Sequence, residues 1–221
     1  MKELLIIIIF GCWINSVSGQ NEKTIEQHGG LIYYGDYTQE IKSEKVLPEN
    51  IQTNLKGYLN KILPSIIDSI TFSHGQIIDL NKKFREEPIT YNYPRIIPKY
   101  ELDFRLKNRS IGIGNYNLEI NIDEYGQILH TNWPKEILMM NNFKSLSEVI
   151  TVALNQVKLK KIDYNSYEVD LDYRKDVDKL FWVIRFSIKT AESNKIYVIE
   201  FPWNSTKILD EYDAKASKIS Y

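Results

Sequence analysis

The feature that most constrains the fold is a set of period-two segments that follow one another with only short polar breaks. Tyr100, Leu102, Phe104 and Leu106 alternate with Glu101, Asp103, Arg105 and Lys107, and Tyr116, Leu118, Ile120 and Ile122 alternate with Asn117, Glu119, Asn121 and Asp123. Successive side chains of a strand point to opposite faces, so each segment predicts a strand with one buried and one wet face. Gly112-Ile113-Gly114 reads as a hairpin turn between them, and Asp123-Glu124-Tyr125-Gly126 turns the chain into Gln127 to His130. Later, Tyr167, Val169, Leu171 and Tyr173 alternate with acids, followed by Leu180 to Ile188 and Lys195 to Phe201. Strands in such close succession pair as antiparallel meanders, because a parallel pair needs a long crossover between its members.

Two helices precede these meanders. Pro48 opens a segment with apolar residues at Leu47, Ile51, Leu55, Tyr58, Leu59, Ile62 and Leu63, a stripe at three- and four-residue spacing that ends near Pro64. Ser145-Leu146-Ser147-Glu148 has the form of a capping box, and Leu146, Val149, Ile150, Ala153 and Val157 continue it as an apolar stripe. Ser69 to Leu80 reads as a hairpin or a bulged strand, and the prolines at 88, 94 and 98 make Glu86 to Pro98 an extended surface loop. The expected fold is therefore α+β, with two helix-then-antiparallel-meander units. They span 47–134 and 135–210, after a signal segment 1–19 and a lead-in 20–46 that is mobile or forms one strand, and before a fraying polar tail at 211–221.

The two units share short stretches. Tyr100-Glu101-Leu102-Asp103-Phe104 recurs as Tyr167-Glu168-Val169-Asp170-Leu171, and Gly126-Gln127-Ile128-Leu129 as Thr206-Lys207-Ile208-Leu209, which points to an internal duplication, with chance similarity as the alternative. The second unit, Phe143 to Leu209, resembles a PepSY-like domain in its order of helix, antiparallel strands and a last strand running into a polar turn and an apolar pair. It departs from that family in lacking a glycine in Asn204-Ser205-Thr206-Lys207. PepSY-like and cystatin-like folds both wrap a sheet around one helix. The resemblance implies an exported bacterial protein or a peptidase-inhibitor-like module, and no catalytic residue comes with it.

Export is also the reading of the N-terminus. Met1-Lys2-Glu3, an apolar run from Leu4 to Ile14 and Val17-Ser18-Gly19 form a secretory signal cut after Gly19, which places the protein in the periplasm or outside the cell with no transmembrane span after cleavage. The alternative reads Ile9-Phe10-Gly11-Cys12 as a lipoprotein box with a lipid on Cys12. Cys12 is the one cysteine, so cleavage after Gly19 leaves neither a disulfide nor a thiol nucleophile.

Charge and motifs narrow the chemistry. The chain carries 28 Lys and Arg against 29 Asp and Glu, interspersed along most segments, so nucleic acid is not an expected partner. His28, His74 and His130 lack zinc-site spacing, and Asp170, Asp172, Asp176 and Asp178 lack the glycine and terminal acid of a calcium loop. With no Gly-x-Ser-x-Gly elbow either, no catalytic, metal or cofactor-binding residue is assigned, no cofactor is expected and the chain reads as a non-enzyme. Tyr91, Tyr93, Pro94 and Trp133 form the candidate binding surface for a protein or peptide partner, against the alternative that these rings close the edge of the core. The expected function is that of an exported, non-enzymatic binding protein. Acids or histidines converging in the fold around His74, His130 or the Asp170 to Asp178 acids mark the competing hydrolase reading.

Overall fold

The apolar stripe that follows Pro48 winds into α1 (Glu49–Ile62), burying Ile51, Leu55, Leu59 and Ile62. The chain leaves the helix at Leu63, whose φ of −128° and ψ of 44° depart from helical values ahead of Pro64. The computed structural model describes residues 35–86, 97–135, 142–189 and 194–215. Residues 1–19, read above as a signal segment, and Tyr91, Tyr93 and Pro94 of the candidate binding surface lie outside these residues.

Around α1 runs an antiparallel sheet of five strands in sequence order: β1 (Thr38–Ile41), β2 (Ile70–Ile78), β3 (Tyr100–Asn108), β4 (Ile113–Ile122) and β5 (Ile128–Thr131). A seven-residue helix, α2 (Leu80–Glu86), follows β2 and begins where Lys82 N donates to Asp79 Oδ1 at 2.9 Å. The second unit opens with α3 (Leu146–Leu159), whose capping box is formed, and continues as a four-stranded antiparallel sheet: β6 (Ser166–Arg174), β7 (Lys179–Lys189), β8 (Asn194–Pro202) and β9 (Asp210–Lys215). The protein is α+β, with three helices and two antiparallel sheets among the described residues.

Of the two readings of the lead-in, the described part follows the single strand: it contributes β1, paired with β2 from Thr38↔Ile78 to Ile41↔Gly75. Three details differ from the sequence reading. The short helix α2 had no periodic stripe to announce it. The supposed fraying tail begins as a strand: β9 pairs with β8 from Lys195↔Lys215 to Glu200↔Asp210, because Ala214 is buried and Glu211 is held by side chains of α3 and β8. Finally, the two copies of the shared five-residue stretch fall on non-equivalent strands, β3 being second after its helix and β6 first after its own. The other matched pair, Gly126 to Leu129 and Thr206 to Leu209, does lead into the last strand of each unit.

One apolar cluster runs through both units, joining the inner faces of the two sheets, α1 and α3. At the junction Leu146 N donates to Ile111 O at 3.2 Å. Gly112 beside it has φ +85°, and a Cβ there would overlap Leu146, so the β3–β4 turn needs glycine both for its backbone and for its approach to α3. Among the described residues no helix is long and apolar enough to cross a membrane.

Candidate functional site

Two features of the first sheet carry chemistry, one on each face. On the face toward α1 a half-open groove of about 450 Å³ lies between the helix and the start of β2. Its floor is apolar: Leu55 and Leu59 from α1, Ile67, Ile70 and Phe72 from the approach to β2 and β2 itself, and Phe104 from β3. Phe72 meets Phe104 edge to face at 5.5 Å between ring centroids. Glu44, Glu49 and Lys56 bring charges of both signs to the lining. The volume is in the range of small-ligand sites, and an apolar floor with a few polar groups is their usual make-up.

The opposite face collects acids. Period two sends Glu101, Asp103 and Glu119 away from α1, and the register sets Asp103 between His74 on β2 and Glu119 on β4, with Glu101 between Gln76 and Asn121. The alternation predicted a wet face, and it is wet at Arg105 and Asn117 but not at Glu101 and Asp103, each only 1% exposed. Gln76 Nε2 donates to Glu101 Oε2. His74 Nε2 stands 3.0 Å from Asp103 Oδ2, while Asp103 Oδ1 is buried without a close hydrogen-bond partner. Asn132 extends the strand pairing beyond β5, its Oδ1 accepting from Glu119 N at 2.8 Å and its Nδ2 donating to Asn117 O at 2.8 Å.

Like charges brought together out of water resist ionising. Burial, then the charges of Asp103 and Glu101, push Glu119 up to about 7. Burial also raises Asp103, against the pull of His74 and Asn117. Glu119 thus exchanges its proton near neutrality, a property suited to general acid–base work. His130, the register partner of Asn121, is lowered by burial and by Lys175 and Lys135.

The sequence-derived site residues fall elsewhere. Trp133 is fully buried, packed edge to face on Tyr116 at 5.5 Å, and so offers no contact surface. It lies two residues past buried Thr131, a spacing that along extended chain sends both side chains inward. Tyr91, Tyr93 and Pro94 are outside the described residues. Asp170 and Asp172 are engaged by Arg185, and Asp178 accepts from Tyr173 Oη at 2.7 Å and from Lys135 N, which leaves these acids committed to structure. Among the described residues no group of three His, Cys, Asp or Glu side chains is placed to hold a metal ion.

The pairing of His74 with Asp103 was not legible in the sequence, since it depends on a register shift in β2 between Phe72 and His74. The signal that was present is the phase: Glu101, Asp103 and Glu119 occupy the outward positions of neighbouring strands. Compared with family models, curated proteins and solved structures, the chain matches none.

Proposed function

We propose that this is an exported binding protein that holds the apolar part of an amphipathic ligand in the groove between α1 and the first sheet. The observation that carries the reading is the groove itself, about 450 Å³ with an apolar floor of aliphatic and phenyl groups and charges at Glu44, Glu49 and Lys56. An apolar group entering it removes its own surface and that of Ile70 and Phe72 from water, while the charged groups can meet a polar head. The tripartite pattern of Met1 to Gly19 supports export. The shared order of one helix and a four-strand meander, α1 with β2 to β5 and α3 with β6 to β9, supports a PepSY-like or cystatin-like module and a duplication, whereas the five-residue match does not.

The test is titration of the purified protein with dansyl-labelled undecanoic acid, read by fluorescence, beside the variant Thr53→Trp. Thr53 is an exposed position of α1 in the groove lining, so the indole covers the opening at little cost to the helix. Saturable binding weakened at least about tenfold in the variant, or about 1.4 kcal/mol, supports the reading. Absence of saturable binding, or equal affinity in a folded variant, removes it.

A further inference from the structure

We propose that Ser73, His74 and Asp103 form a nucleophile, base and positioning relay that makes Ser73 acylable by carboxylic esters. The site is independent of the groove, since Asp103 faces away from Phe104 across β3. It originates in the irregularity of β2, where Phe72 pairs with Phe104 and His74 with Asp103, so that Ser73 is the extra residue with no register partner. Bulges of this kind re-aim side chains and recur beside active sites.

The three groups are graded in exposure as such chemistry requires. Asp103 is buried, its side chain 2% exposed, and faces His74 Nε2 at 3.0 Å; His74 is 45% exposed; Ser73 is exposed, with its Oγ 3.5 Å from His74 Nδ1. A carboxylate at Nε2 holds the proton on that nitrogen, which leaves the lone pair on Nδ1 directed toward the serine hydroxyl. This is the tautomer a base needs, and such constellations are recognised by role and geometry whatever the chain order. Asp103 Oδ2 faces the imidazole and Oδ1 is buried without a close partner, so the carboxylate, which the side chain of Asn117 also supports, is placed to stabilise the imidazolium that forms.

In the reaction Ser73 Oγ attacks the ester carbonyl carbon as its proton passes to His74 Nδ1. The carbon–oxygen bond to the leaving alcohol then breaks, and the alcohol departs with that proton. Water, deprotonated by the same nitrogen, releases the acid from the acyl-serine and restores the hydroxyl. No oxidant, metal or further reactant enters.

The full-length protein is incubated with p-nitrophenyl acetate, and acetylation is followed by intact mass and peptide mapping as pH is varied. The expected result is one acetyl group on Ser73, absent in Ser73→Ala. Its rate should depend on pH, and His74→Gln should remove at least about a hundredfold of the rate and change that dependence. Asp103→Asn should slow acylation and distort that pH profile. Should this buried change unfold the protein, the His74→Gln result decides. Acetylation confined to lysines, or Ser73 acetylated at an undiminished rate in His74→Gln, overturns the proposal.

Discussion

The outward faces of the two sheets are built on the same alternating pattern and end in opposite electrostatic states. On the second sheet acids meet guanidinium groups: Arg185 reaches Asp170 and Asp172, and Arg174 reaches Glu200 and covers the ring of Phe181. A small apolar cluster of Phe181, Val183, Val198 and Ala214 fills the space between, with Tyr212 Oη donating to Glu200 Oε1 at 2.8 Å. On the first sheet Asp103 and Glu119 face each other across β3 and β4, with half-exposed His74 3.0 Å from Asp103, and Glu119 is driven to about 7. One face uses its charges up in pairs and the other keeps charge in reserve. Reserve of that kind costs stability and is what reactive or binding surfaces are made from.

The largest expected effect comes from breaking the paired face. Arg185→Met strands partly buried Asp172 beside Asp170 and should cost about 2.5 kcal/mol in urea unfolding, below the range for fully buried pairs because water screens both carboxylates, Asp172 being 38% and Asp170 55% exposed. Next is the reserve face, with the opposite sign. An acid whose folded pKa lies above its unfolded value ionises first in the unfolded chain, so stability falls as pH rises from about 4.5 to about 7. Glu119→Gln should remove this slope and raise stability at pH 8 by roughly 2 kcal/mol, after allowance for partial exposure, with no gain at pH 4. Thermal midpoints at both pH values check it.

A smaller contrast separates the two helices. In α3 the Ser145 side chain accepts from Glu148 N and Glu148 accepts from Ser145 N, whereas α1 starts at Pro48 with no side-chain cap. Ser145→Ala should therefore cost about 1 kcal/mol, read as a lowered unfolding midpoint. The smallest effect is expected for Asp170→Asn, whose side chain is more than half exposed. A loss under about 1 kcal/mol, shrinking further in high salt, would confirm that Asp172 is the acid that matters to Arg185.

Much of the architecture was legible because it depends on local period. The stripe from Ile51 to Ile62 and the box from Ser145 to Glu148 produced α1 and α3, and alternation placed the apolar residues of β3, β4, β6 and β7. What alternation does not encode is whether the second face of a strand is covered. Glu101 and Asp103 read as wet from their neighbours and are buried by the fold. Nor does composition reveal an edge strand, since Asp210 to Lys215 is polar and yet completes a sheet through backbone pairing. The candidate sites were less legible still. The groove is assembled from segments far apart in sequence, and the meeting of His74 with Asp103 turns on one inserted residue in β2. Trp133 illustrates the converse error, a residue whose type suits an interface but whose strand phase sends it inward.

The strand β9 sets an order on biosynthesis. Glu211, near its start, takes bonds from Gln156 on α3, from Lys160 at the end of that helix and from Tyr197 on β8, and burial followed by the bond to Glu211 pushes Tyr197 up to about 12. A ribosome delivers α3 some fifty residues before the segment that fastens it, so the second sheet stays one strand short until β9 has been made. That delay leaves the β8 edge without its ladder partner, and the partners of Glu211 on β8 and at the end of α3 without their acceptor, until β9 arrives.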